Sequence, residues 1–134
     1  MSQACVLIVD DEPINLVLLE SLLEDFYPVR AVGSAQEALA LAEDPEAGVA
    51  MVLSDVQMPG MDGLALCRRL RAQAHTADLP VLLISGFASE ADELAGLQAG
   101  ASDLVSKPYC PDLLLARVRT HWRLRELERQ AQPA

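Results

Sequence analysis

The feature that most restricts how this chain can fold is an alternation along its length. Apolar runs of strand length are separated by segments whose apolar residues recur with the 3.6-residue period of a helix. Strands are expected at about Ala4 to Val9, Val29 to Val32, Val49 to Ser54, Leu79 to Ser85 and Ser102 to Ser106. Between the first two, Pro13 suits a first helical turn, and Ile14, Leu16, Val17, Leu19, Leu22 and Leu23 are expected to form a buried stripe that ends at Phe26-Tyr27-Pro28. Ser34 with Glu37 three positions on reads as a capping box for a helix through Leu41. Further helices are expected over Leu64 to Gln73, Ser89 to Gln98 with Gly100 at its end, and Asp112 to about Gln130, with a frayed end after that. Strands alternating with helices make a parallel sheet, and right-handed crossovers wind it on both faces into an open α/β layer. In such a sheet the ligand crevice lies beyond the carboxyl ends of the strands.

Four of the apolar runs end on polar groups suited to a phosphoryl group. Cys5 to Val9 runs into Asp10-Asp11, Ala50 to Leu53 into Ser54-Asp55, Val81 to Ile84 into Ser85, and Leu104-Val105 into Ser106-Lys107. Lys107 is the only lysine; every other cation is an arginine. A compact ammonium on a flexible stem therefore replaces the planar fork at this one place. Asp10, Asp11 and Asp55 would repel one another unless a cation sits among them, and a hard divalent ion such as magnesium, using two of the three with waters and phosphate oxygens, fits that donor set. No histidine or thiol is near, which disfavours zinc. Asp55 also ends a central strand before Val56-Gln57-Met58-Pro59-Gly60-Met61-Asp62-Gly63, a loop by its proline and two glycines, and is the best placed carboxylate for a nucleophile. Lys107 would supply a cation and Ser85 a hydroxyl to the phosphoryl oxygens. Singly, each group has an ordinary structural explanation. Their joint occurrence at four strand ends points to chemistry.

The bulk composition narrows the class. With 134 residues, 51% of them hydrophobic, the chain suffices for one domain with a real core. A net charge of −10 argues against nucleic-acid binding over most of the surface. Cys5, Cys67 and Cys110 are odd in number and without metal-ligand spacing, as expected of reduced thiols in a cytoplasm. No apolar run approaches the length of a membrane span and no targeting segment is evident, so a cytosolic protein is expected. His75 and His121 read as structural or solvated groups.

With these motifs in view, the chain from about Ala4 to Val118 resembles the receiver domain of two-component response regulators. The resemblance rests on Asp10-Asp11, the segment Asp55 to Gly63, Ser85 and Lys107-Pro108. It implies a flavodoxin-like α/β fold, a doubly wound five-stranded parallel sheet of order 2-1-3-4-5 with an extended C-terminal helix. It also implies magnesium-dependent phosphoryl transfer from a histidine kinase or histidine phosphotransfer protein to Asp55. By position, Asp11 and Asp55 would ligate Mg2+ with the backbone carbonyl of Gln57, and Asp10 would act through water. Lys107 and Ser85 would contact the phosphoryl group, and the bond before Pro108 would be cis. Switching in the family moves the hydroxyl residue and an aromatic on the fifth strand. Here Leu104 holds that second place, leaving Ser85 with Phe87 as the expected apolar reporter. Such a domain is a signalling phosphoacceptor rather than an enzyme acting on other substrates.

A receiver is thus expected over residues 1–120, with 121–134 an extension of the last helix. At 1.5 Å per residue that helix would run on the order of 28 Å, more than packing on a small sheet requires. Its spacing from Leu124 through Leu127 to Ala131 resembles a helical seam, and it is read as a linker to an output domain or a dimerisation segment. Leu94, Leu97 and the edge of the fifth strand are an equal candidate for a homodimer face. Arg117, Arg119, Arg123, Arg125 and Arg129 read as a solvated face pairing with Glu126 and Glu128. Two alternatives remain: a degenerate receiver serving only as a protein-binding module, and a haloacid-dehalogenase-like phosphohydrolase. The second wants an acid two positions after the nucleophile, where Gln57 stands.

Overall fold

The computed structural model describes residues 3–131. Its elements are β1 (Cys5–Val9), α1 (Pro13–Leu23), β2 (Val29–Val32), α2 (Ala35–Glu43), a one-turn 3-10 helix (Pro45–Ala47), β3 (Val49–Asp55), α3 (Gly63–Arg71), β4 (Val81–Ser85), α4 (Glu90–Gln98), β5 (Asp103–Ser106) and α5 (Pro111–Ala131). The strands form one sheet of order β2-β1-β3-β4-β5, and every pairing is parallel. This is the flavodoxin-like fold expected from the sequence.

The pleat sorts the apolar runs into two cores. Leu7, Val9, Val52, Val81 and Leu83 face a cluster completed by α2 and α3 residues such as Ala38, Leu66 and Leu70. Val6, Ile8, Met51, Leu53, Leu82 and Ile84 face the other, completed by Leu19 and Leu23 of α1 and Leu114 and Val118 of α5. Strands buried on both faces read as continuous apolar runs, which is why they stand out in the sequence.

Local signals set most boundaries. Ser34 Oγ accepts the Glu37 N–H at 3.2 Å, so Ser34 caps the helix as expected, while Glu37 Oε1 accepts from the Ser34 hydroxyl at 3.2 Å rather than from the Ser34 backbone N–H that a full capping box uses. β4 begins at Val81, two residues later than expected, just after Pro80, whose ring nitrogen has no hydrogen to donate. The stripe expected on α1 requires correction. Leu19 and Leu23 are buried and Leu16 and Leu22 partly so, but Ile14 and Val17 are 65% and 58% exposed. Positions 16, 19 and 23 share one side of the helix, while 14, 17 and 18 lie round the axis from it.

On α5 the helix continues through Gln130 and Ala131, where fraying was expected; the rest of that end lies outside the described residues. Trp122 packs against Tyr27 with ring centroids 4.8 Å apart, and the Arg125 guanidinium lies 5.6 Å from the Trp122 ring. The arginine run pairs differently from the expectation. Glu126 takes Arg125 at 2.9 Å and Arg129 at 4.0 Å, but Arg117 bonds Asp103 of β5 at 2.9 Å, and among the described residues Glu128 is in no ion pair. No described helix is long and apolar enough to cross a membrane.

Candidate functional site

Strand register brings the polar ends together. Val9 pairs with Ser54, so Asp10 follows level with Asp55; Asp55 pairs with Ile84, and Ser85 with Ser106, one residue before Lys107. Continuing the pleat from Ile8, Leu53 and Val105 places Asp10, Asp55 and Lys107 on the side of α1 and α5. By the same alternation Ser85 follows Leu83 to the side of α3 and α4.

Carboxylate oxygens of Asp10, Asp11 and Asp55 lie within 4.8 Å of one another. Asp10 is buried and fixed by the Glu12 N–H, which donates to its Oδ1 at 3.0 Å; Asp11 is exposed. Asp55 Oδ1 accepts the Val56 N–H at 2.8 Å, and Lys107 Nζ stands 3.5 Å from Asp55 Oδ2. Burial pushes the Asp55 carboxyl above its ordinary range; the Lys107 ammonium opposes this, Asp10 adds to it, and the backbone amides of Val56 and Gln57 also oppose it. A pocket that raises its own carboxyl while gathering two more favours positive charge, and an all-oxygen donor set suits a hard divalent ion.

The loop after Asp55 is held by backbone fit. The Gly63 N–H donates to Val56 O at 2.8 Å, and a Cβ at Gly63 would collide with the Asp55 carbonyl oxygen and lie 2.9 Å from Val56 Cα. Gly60 takes φ +76°, a value that favours glycine. Asp62 caps α3 by accepting the Ala65 N–H at 2.8 Å. On the other flank the Lys107 N–H donates to Ser85 O at 2.9 Å, and the Lys107-Pro108 peptide is cis.

Ser85 is buried and, with Gln57, Phe87, Asp92 and Ala95, borders a cavity of about 120 Å³. Phe87 is half-buried there. Leu104 lies beyond this cavity, its Cδ2 2.7 Å from where a Cβ on Gly96 of α4 would stand. Tyr109 escaped the sequence reading. With Asn15, Leu18 and Lys107 it lines a groove of about 900 Å³ beside α1, and burial followed by the Asp10 charge raises its phenol above the ordinary value. Its place directly after Lys107-Pro108 was the available signal. His121 is structural in contact, 3.0 Å from Asp103 Oδ2.

Residues 6–119 match the family model of the response regulator receiver domain. The response regulator PleD of Caulobacter vibrioides is 40% identical over 118 residues, 87% of this chain and 26% of PleD. The transcriptional regulatory protein AruR of Pseudomonas aeruginosa is 40% identical over 134 aligned residues, 96% of this chain and 54% of AruR. The chain thus spans between a quarter and about half of these relatives' length. Among solved structures, a putative response regulator from Chloroflexus aurantiacus superposes with TM-score 0.82 at 33% identity, covering 91% of this chain and 99% of that one. Chemotaxis protein CheY4 of Vibrio cholerae gives 0.80 at 30% identity, covering 89% and 98%. Sheet order, acidic cluster and family match agree, and the chain belongs to the receiver domain family of two-component response regulators.

Proposed function

We propose that this receiver accepts a phosphoryl group on Asp55 from a phosphohistidine of a cytoplasmic kinase or phosphotransfer protein. The observation that carries this reading is the Lys107 ammonium 3.5 Å from Asp55 in a pocket that also holds Asp10 and Asp11. An Asp55 carboxylate oxygen attacks phosphorus, the new O–P bond forms as the P–N bond to the donor imidazole breaks, and the imidazole leaves with its electron pair. Lys107 and the Ser85 hydroxyl receive the phosphoryl oxygens. Val56 holds Asp55 Oδ1 through its N–H, and Oδ2 faces the Lys107 ammonium, which makes Oδ2 the oxygen placed to attack.

Magnesium fits the donor set, with Asp11, Asp55 and the Gln57 carbonyl as ligands and Asp10 acting through water; when bound it would neutralise charge on the phosphoryl oxygens. Movement of Ser85 toward the phosphoryl would reshape Gly86, Phe87 and the cavity they line, and so alter the surface seen by an output domain or partner protein.

The test is incubation with acetyl phosphate and magnesium followed by intact-mass measurement. One acid-labile phosphoryl group is expected on the native chain and none on Asp55→Asn. Full labelling of Asp55→Asn would reassign the acceptor, and an unlabelled native chain would overturn the reading.

A further inference from the structure

A polar cavity lies at the amino ends of the strands, opposite the end that carries Asp55. It measures about 250 Å³ and is lined by Ala4 and Gly48 just ahead of β1 and β3, by Asp44 and His75 after α2 and α3, and by Arg125 and Arg129 of α5. α5 forms one wall because it outruns the sheet. Its 21 residues span about 31 Å, against about 16 Å for a five-residue strand. Along its inward stripe Leu114 and Val118 are buried and Trp122 packs on Tyr27, and the next two positions on that side are Arg125 and Arg129. The stripe turns from apolar to cationic where it passes the end of the sheet. Placing two guanidinium groups four residues apart on one helix face sets like charges side by side. Among the described residues only Glu126 pairs with them, at 2.9 Å from Arg125 and 4.0 Å from Arg129, so a positive charge is left over. Burial, and then the Arg129 charge, lower the Arg125 guanidinium below its ordinary value.

Donor geometry and charge select the occupant. Glu126 takes one N–H of Arg125, a group with five donors, and His75 has no hydrogen bond or ion pair among the described residues. Two planar forks and an imidazole reaching in from different elements suit a tetrahedral oxyanion with several acceptor oxygens better than a carboxylate, which offers two in one plane. Asp44 adds a selective element. Its Oδ1 accepts the Glu46 N–H at 3.0 Å, and its Oδ2 has no partner among the described residues. That oxygen repels a fully ionised anion such as sulfate, whereas phosphate keeps an O–H at neutral pH and can donate it. We propose that this cavity binds a hydrogen phosphate ion, with Arg125, Arg129 and His75 donating to its oxygens and Asp44 accepting from its O–H. Occupied, the site ties the overhang of α5 to the loops that follow α2 and α3.

The test titrates inorganic phosphate, and sulfate in parallel, into the full chain without magnesium, followed by NMR at constant ionic strength so that screening cannot imitate binding. Phosphate is expected to shift the His75 ring and Arg125 Nε–H signals to saturation while the Ser85 amide, at the other end of the sheet, stays in place. Arg129→Gln should weaken binding about tenfold, as for loss of one charge-assisted hydrogen bond. Sulfate should bind the native chain about tenfold more weakly than phosphate, on the same scale. Asp44→Asn should erase that preference, because its side-chain carbonyl can still accept the Glu46 N–H while its amide offers sulfate a donor. No saturable shift at His75 and Arg125, or equal affinity in Arg129→Gln, would overturn the site. Equal binding of phosphate and sulfate by the native chain would overturn its assignment to hydrogen phosphate. A gain in sulfate affinity in Asp44→Asn is a result that misfolding cannot imitate.

Discussion

Helices α3 and α4 flank the same site on the same face of the sheet and are held in different ways. α3 buries Gly63, Leu66, Cys67 and Leu70, and its first residue sits against the Asp55 backbone. At its far end Arg71 donates to Gly100 O at 2.9 Å and Leu79 O at 2.6 Å, tying the helix to two loops. α4 buries only Gly96, and its contact there is with the flexible end of Leu104. Leu94 and Leu97 are each 53% exposed. A helix fixed by backbone contact transmits little, whereas one resting on a single side chain can be shifted by small changes beneath it. The cavity bordered by Ser85 touches Leu64 of α3 as well as Asp92 and Ala95 of α4, so a change at Asp55 reaches both helices, and the more loosely held α4 is expected to move further.

The largest effect should come from Gly63→Ala. Its Cβ would meet immovable backbone, and a loss of about 3 kcal/mol or more in urea unfolding is expected, at the upper end for overpacking. Leu70→Ala, fully buried in α3, should cost about 3 kcal/mol by the same measurement. A loss below 1 kcal/mol in either, on the same scale, would break the picture of α3 as the fixed helix.

The acid limb of stability probes the tie between α5 and β5, the strand on which α4 rests. Burial raises the Asp103 carboxyl, but hydrogen bonds from His121, Arg117 and the Leu104 amide outweigh it and hold the group below its ordinary value. Its contribution is therefore complete above the unfolded carboxylate value of about 3.9 and is lost as pH falls through the lower folded value. Hydrogen exchange on descending through that range should show β5 and α4 losing protection before α3. Asp103→Asn should flatten that limb; an unchanged limb would remove Asp103 as its source.

Smaller still is Gly96→Ala. The new methyl displaces Leu104, but a glycine inside a helix already costs about 1 kcal/mol relative to alanine, so the net change should stay within about 1 kcal/mol. Its mark should instead be faster exchange in α4. A loss matching Gly63→Ala would erase the distinction between the helices. Leu97→Ala should move stability by no more than about 0.5 kcal/mol, as for an exposed position.

Element order and strand boundaries were legible because continuous apolar runs, capping serines and glycine-bearing loops are local signals. The acidic cluster was legible too, since in a parallel sheet strand ends converge whatever the side chains are. Contacts that depend on which way a helix turns were not. The α1 stripe joined Ile14 and Val17 to a face they do not share, because a helix apolar on several sides offers no single period. Asp103 gave no hint of Arg117 and His121, residues far along the chain brought to it by α5 crossing the edge strand. Leu104 was visible as a departure from the family pattern, but its seat against Gly96 needed the packing of α4 on β5.

The solitary lysine has a practical consequence. An amine-directed reagent has one side-chain target in this chain, and that target sits 3.5 Å from Asp55. Its acylation rate is thus governed by what occupies the carboxylate beside it, so the molecule carries its own covalent reporter, readable without adding a dye or a new residue.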